Sequence, residues 1–452
     1  MAVRASTNVA PARQCAFVVL RRTFEHGAYT DRALRAQARG LDARDRALAM
    51  RLASGAVQRK GTLDHFIERL AERPPRRLDA AVLAALRLGL YELLYLSGAP
   101  DRAVVADAVE LAKSDGRGGH GLVNAVLRRA TREGAGALLG TLSDRTPAQA
   151  AVMHSHPRWI AELFWEQLGA EQARALMAFD NEPAELALRA NTLVTDAPAL
   201  ARALAVPAHL DSVLPEALVL EAPFDLHASG LWQEGAMLAQ SRAAMLVSRS
   251  LAPREHERVL DLCAAPGGKA THLAALMNAT GEVVAVERNA GRAGALVRTA
   301  ARLHADSVRV EVADAGRPRR GRAFDRVLVD PPCSGLGTLQ ARPDLRWRVT
   351  PEAVAQMARA QAQILAAGAL ALRPGGVLVY STCTISPTEN EQVVRAFLDS
   401  HPDFSFDELP IPSARPVSAT APASAAATGG VMLTLPHRDH TAGFFVARLR
   451  RS

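Results

Sequence analysis

From Arg258 onward the chain alternates short apolar runs with helical stretches: RVLDLCA, a helix from Lys269, EVVAVE, a helix from Asn289, SVRVEVAD, FDRVLVD, a helix around residues 351 to 372, and GVLVYSTC. Short apolar runs separated by helices specify a parallel sheet with both faces covered. Ligands of such sheets bind at the carboxyl ends of the strands, so the residues that close each run are the candidates for chemistry.

The rest of the chain follows other patterns. Residues 11 to 134 read as consecutive amphipathic helices, among them LDAAVLAALRLGLYELLYLSG and GLVNAVLRRATREG, with apolar residues at three- and four-residue steps and Gly, Pro or Asp near the breaks. This predicts an all-α bundle. Residues 151 to 250 start as a helix, HPRWIAELFWEQLGAEQARALMAF, and continue with β-like pieces such as ELALRAN and ALVLEA, which predicts a small α+β connector. A chain of 452 residues is too long for one ordinary core. The expected division is a helical domain at 1–140, the connector at 151–250 and the α/β domain at 251–452. Residues 411 to 430, IPSARPVSATAPASAAATGG, are low in complexity and read as a mobile loop, after which VMLTL and GFFVARLR would make an antiparallel terminal pair.

Charge is unevenly placed. Residues 1 to 134 hold 23 Lys and Arg against 14 Asp and Glu, more than the whole chain's net +8, so the helical third is the candidate polyanion binder. A merely well-solvated surface is the plainer alternative. No stretch approaches the roughly 20 apolar residues of a membrane span, and the N-terminal run Ala16 to Leu20 is short for a signal peptide, so the chain reads as cytoplasmic. Its four cysteines, Cys15, Cys263, Cys333 and Cys383, form neither a disulfide framework nor C-x-x-C spacing for a metal, and read as free thiols. Only three lysines occur among 54 basic residues, and one of them, Lys269, ends a glycine turn.

That turn, LDLCAAPGGKATHL, runs from the first strand into a helix. Pro266 fixes a bend, while Gly267 and Gly268 would let backbone amides face a ligand. Acids close the neighbouring runs: Glu287, Asp314 and Asp330. An acid at the second strand end can accept protons from ribose hydroxyls. Asp314 is placed for an adenine amino group. The G-x-G-x-x-G spacing of a dinucleotide site is absent, so a single adenosyl ligand fits better.

Cys333 follows Asp330-Pro331-Pro332, and Cys383 follows Ser381-Thr382 at the end of another run. Either could be a small buried hydrophobe. Together, on adjacent strand ends beside a nucleotide-type pocket, they point to methyl transfer onto a pyrimidine ring. One thiolate adds at C6, C5 becomes nucleophilic toward a methyl donor, and a base removes the C5 proton. Which thiol adds stays open on this reasoning. Asp330 is the candidate to hold N3 of the ring, with capping of the Pro-Pro turn as its alternative role. A target base would have to leave its stack. In LQARPDLRWR, Arg342, Arg346, Arg348 and Trp347 could hold phosphates and a base face, or form an exposed charged helix start.

LDLCAAPGGK, VDPPCSGLGT with RPDLRW, and LRPGGVLVYSTCTISPTENE as a set resemble the bacterial RsmB/Sun (Fmu) ribosomal RNA cytosine-5 methyltransferases, and AALRLGLYELLYL, DAVELAK and GLVNAVLRRA look like the NusB-type RNA-binding domain of that subfamily. The resemblance covers nearly the whole chain. It implies a Rossmann-like catalytic domain using S-adenosyl-L-methionine, with 16S rRNA or a partly assembled small subunit as partner, and no obligate protein partner. It implies that Cys383 is the nucleophile and that Cys333 helps release the product. Cys263, Ala264, Ala265, Pro266, Gly267, Gly268, Lys269, Glu287, Asp314 and Asp330 would form the cofactor pocket. The chain departs from the family at Ala442, where Asp is frequent before Gly-Phe-Phe, and at WQEGAMLAQ in the connector. Two other readings remain: a transfer RNA cytosine-5 methyltransferase, and a non-catalytic NusB-like assembly or antitermination factor.

Overall fold

The computed structural model describes residues 9–113, 118–318, 323–411 and 429–452. It forms two compact units: one within Met1–Glu182 together with Arg342–Arg348, the other within Pro183–Ala341 and Val349–Ser452. Most of the low-complexity stretch, residues 412–428, lies outside the described residues.

The first unit is all helical. The helix Ala80–Tyr95 is mostly apolar, buries twelve of its residues, and is capped by Asp79, whose side chain accepts from the Ala81 amide. Around it lie Pro11–Glu25, Ala43–Gln58, Lys60–Ala71, Asp101–Lys113 and His120–Glu133. Gly55 is needed where the Tyr91 ring presses on the helix Ala43–Gln58, since a Cβ there would sit 2.0 Å from that ring. Arg87 forms a two-pronged pair with Asp64 at 2.7 and 2.9 Å, the geometry in which a buried guanidinium is best satisfied. Arg158–Phe179 completes the unit, with non-helical backbone at Gly169.

The segment Arg342–Arg348 corrects the expectation that its arginines and tryptophan hold nucleic acid. Arg346 is fully buried and donates to the carbonyls of Ser155 and Asp180 and to Oδ1 of Asn181, at 3.0 to 3.1 Å. Trp347 donates its indole N–H to the Val57 carbonyl at 2.8 Å, and Lys60 Nζ lies 4.5 Å from its ring. Arg348 is spent on the carbonyls of Gly27 and Ala28 and on Asp344. These donors fasten a strap into the helical unit, so they are closed to phosphate; only Arg342 is exposed.

In the second unit a small antiparallel sheet comes first: β1 (Ala187–Ala190), β2 (Ala208–Leu210), β3 (Ala217–Leu220) and β4 (Met237–Ala239), in the order β2-β3-β1-β4. The large sheet holds β5 (Arg258–Leu262), β6 (Glu282–Glu287), β7 (Val308–Val312), β8 (Phe324–Val329), β9 (Leu372–Thr382), β10 (Phe404–Phe406), β11 (Val431–Leu433) and β12 (Phe445–Arg451). Its order is β10-β12-β9-β8-β5-β6-β7, with β11 on β12. The stretch β9-β8-β5-β6-β7 is parallel, and β12 joins β9 antiparallel, so the expected terminal pair extends the sheet.

Strand periodicity explains the two covered faces. Val259, Val283, Ala285, Leu328 and Val379 pack with residues of the helices Arg242–Leu251, Gly268–Leu276 and Ala290–Arg302. On the opposite face Gly368, in the helix Pro351–Ala371, lies against Leu262, Val327 and Val329, where an added Cβ would stand 2.9 Å from Val329. Among the described residues no helix is long and apolar enough to cross a membrane.

Candidate active site

The strand order reverses at β5, which lies between β8 and β6, so a crevice opens at the carboxyl ends of these strands. The residues expected to carry chemistry close those strands. Cys263 to Lys269 follow β5, Glu287 ends β6, Asp314 follows β7, Asp330 and Cys333 follow β8, and Cys383 follows β9.

Gly267 has φ +108°, and a Cβ there would stand 2.5 Å from Leu296, so the turn into the helix Gly268–Leu276 needs glycine at that position. At Gly268 an added Cβ would meet Gln240 and Leu238 only at ordinary contact distance, 3.8 Å. The first turn of the helix offers amide groups that no intrahelical carbonyl reaches. Glu287 is buried and accepts from the Asn289 amide at 2.8 Å, while exposed Asp314 accepts from the Gly316 amide at 2.9 Å.

Asp330 does not cap its own turn. Lys269 Nζ donates to Oδ2 at 2.7 Å and the Ser381 hydroxyl to Oδ1 at 2.9 Å. Burial opposes the charge on Lys269, but the adjacent Asp330 carboxylate outweighs it and holds the ammonium above its usual range.

The sulfurs of Cys333 and Cys383 are 3.1 Å apart. The hydrogen bond to Cys383 and burial push the Cys333 thiol well up, with the charges of Cys383 and Glu389 adding to both. The two sulfurs thus share one hydrogen bond, which either can donate. Cys263 is different: burial and the nearby Asp330, Asp261 and Glu287 push its thiol up to about 12, so it is a poor nucleophile.

Sequence reasoning passed over Asp261. It is buried within β5, neither carboxylate oxygen is hydrogen-bonded among the described residues, and burial and Asp330 push it well above the usual carboxylate range. Its signal was an acid interrupting the apolar run LDL, which strand burial alone does not explain. A glycine-turn cradle, acids on the flanking strand ends and an unpartnered buried carboxylate fit a cationic adenosyl cofactor.

A Rossmann-like sheet with this cradle and paired thiols defines an S-adenosylmethionine-dependent methyltransferase. Residues 248–450 match the family described as 16S rRNA methyltransferase RsmB/F, residues 10–132 the NusB family, and residues 156–227 the ferredoxin-like domain of RsmF/B-like methyltransferases. The chain is 36% identical to the probable ribosomal RNA small subunit methyltransferase B of Synechocystis sp., over 98% of this chain and 99% of that one. It is 39% identical to the ribosomal RNA small subunit methyltransferase B of Thermus thermophilus, over 90% and 89%. The solved structure of PH0851 superposes with a TM-score of 0.81 at 25% identity, covering 99% of this chain and all of that one. The chain belongs to the RsmB/F family of 16S rRNA methyltransferases.

Proposed function

We propose that this protein transfers a methyl group from S-adenosylmethionine to C5 of one cytosine in 16S rRNA, through a covalent adduct on Cys383. The observation that carries the reading is the 3.1 Å contact between two thiols at adjacent strand ends, beside the Lys269–Asp330 pair. Cys263 to Lys269, Glu287, Asp314 and Asp330 hold the cofactor, which supplies an electrophilic methyl group on sulfonium.

The protein's own steps follow from charge. Cys383 as thiolate adds to C6 of the cytosine, and Asp330, kept in place by Lys269 and Ser381, faces N3. The electron pair released at C5 would take the methyl group as its bond to the sulfonium sulfur breaks, leaving the cofactor as a neutral thioether. Once Cys383 is a thioether its charge is gone, and with it the main cause holding the Cys333 proton. Cys333 can then release its proton to solvent, take the C5 proton as thiolate, and let the C6–S bond break to return the Cys383 thiolate and 5-methylcytosine.

Under this reading the helical segment 1–140 and the connector 151–250 bind RNA, and 251–452 carries catalysis. The substrate is naked or partly assembled small-subunit RNA. Bisulfite sequencing of 16S rRNA and transfer RNA incubated with enzyme and cofactor tests this. One 5-methylcytosine in 16S rRNA is expected; preferential methylation of transfer RNA would overturn the assignment, and failure to bind S-adenosylmethionine would favour a non-catalytic assembly factor.

A further inference from the structure

Behind the two thiols lies a buried carboxylate that their chemistry does not use. Glu389 is fully buried. Its Oε1 accepts from the Ser334 amide at 2.9 Å and from Gln361 Nε2 at 3.0 Å, and its Oε2 accepts from the Ser334 hydroxyl. The Ser334 hydroxyl is also 2.7 Å from that of Thr384. Ser334 and Thr384 are the residues that immediately follow Cys333 and Cys383.

Two further donors lock this group. Gln361, on the helix Pro351–Ala371, also donates to the Pro332 carbonyl at 2.9 Å. The Tyr380 hydroxyl, from β9, donates to the Glu389 carbonyl at 2.5 Å. Among the described residues no lysine or arginine side chain hydrogen-bonds to Glu389; the donors found are neutral. A carboxylate held this way in the interior costs stability compared with an apolar replacement, which calls for a role beyond packing.

We propose that Glu389 is a positioning residue: it clamps the loop after β8 to the loop after β9 so that the Cys333 and Cys383 sulfurs stay in contact. This deepens the covalent reading and rests on it for the catalytic consequence. The contact between the thiols then depends on one side chain that touches neither sulfur. The upward push on Cys333 agrees with that placement.

Iodoacetamide supplies a readout that needs no RNA. A thiolate displaces iodide and forms a thioether, so peptide mass spectrometry of briefly treated protein ranks the two thiols by thiolate character. In wild type, Cys383 is expected to react before Cys333. In Glu389→Ala the ratio of Cys333 to Cys383 labelling is expected to rise about 5-fold or more, kcat to fall about 100-fold, and the Kd for S-adenosylmethionine to stay within about 2-fold. Glu389→Gln preserves the shape and most of the hydrogen bonds, so its kcat should lie between the two, within about 10-fold of wild type.

An unchanged labelling ratio with unchanged kcat in Glu389→Ala would overturn the proposal. So would a loss of cofactor binding in step with kcat, which marks a purely structural role. Should Glu389→Ala fail to fold, Ser334→Ala decides, because it cuts the hydroxyl link between the loops and leaves the carboxylate in place; a wild-type ratio there overturns the clamp. If wild type makes no 5-methylcytosine, the covalent reading fails while the labelling ratio still tests Glu389.

Discussion

Lys269 donates to Asp330 at 2.7 Å, tying the last residue of the glycine turn to the first residue of the Pro-Pro-Cys loop. Cofactor cradle and thiol loop are thus joined through one ion pair, with Ser381 on the other carboxylate oxygen. Asp330→Asn keeps the shape but weakens the hold of the ammonium. We expect kcat to fall about 100-fold, equivalent to about 3 kcal/mol of transition-state stabilisation, in single-turnover assays. An Asn variant within 3-fold of wild type, roughly 0.6 kcal/mol, would remove Asp330 from the chemistry.

Cys263 is expected to resist alkylation. With its thiol pushed up to about 12, only about one molecule in ten thousand carries the thiolate at pH 8. Under iodoacetamide at that pH, label should appear on Cys383 while Cys263 stays unmodified until the protein is denatured. Equal labelling of the two in native protein would contradict the assignment.

Arg346 separates a strap from a phosphate contact. Arg346→Ala leaves the oxygens of Ser155, Asp180 and Asn181 without their buried donor, and should destabilise the helical unit by about 3–5 kcal/mol in denaturant melts. The salt dependence of RNA binding should not change. A phosphate ligand would instead lower the slope of log K against log salt by about one with little loss of stability.

His272 gives a pH dependence. Its ring is buried 2.9 Å from Glu216, and burial together with Arg189 pushes it down to about 4, so it is neutral at pH 7. An unfolded histidine titrates near 6.5, so between these values the unfolded chain binds more protons and stability falls as pH drops from about 6.5 toward 4. The loss from this one group is roughly 2 kcal/mol by pH 5. Urea melts at pH 7.5 and 5.0 should show a smaller difference for His272→Gln than for wild type; equal differences would show that His272 does not carry it.

The sheet was readable because β5, β6, β8 and the end of β9 are apolar runs with clear ends, and the alternation of Val259 and Leu260 states which side each faces. Placing Cys333 and Cys383 on neighbouring strand ends followed from that topology. The strands β2, β4 and β10, with three residues each, carry too little pattern and owe their existence to partners distant in sequence. RPDLRW was misread for a related reason: composition shows charge, but the carbonyls that bury Arg346 come from residues about 165 to 190 positions away. Asp261 went unnoticed because a single acid in an apolar stretch reads as an exception until its surroundings are known, and Glu389 because the polar run SPTENEQ reads as an exposed loop.

The central claim is that Cys383 attacks and Cys333 releases. It is tested most directly by mixing 16S rRNA and S-adenosylmethionine with wild type, Cys333→Ala and Cys383→Ala, then looking for a protein–RNA adduct on denaturing gels. The adduct is expected to accumulate in Cys333→Ala, where release is blocked, and to be absent from Cys383→Ala. Accumulation in Cys383→Ala instead would reverse the two roles, and no adduct in any of the three would contradict covalent catalysis.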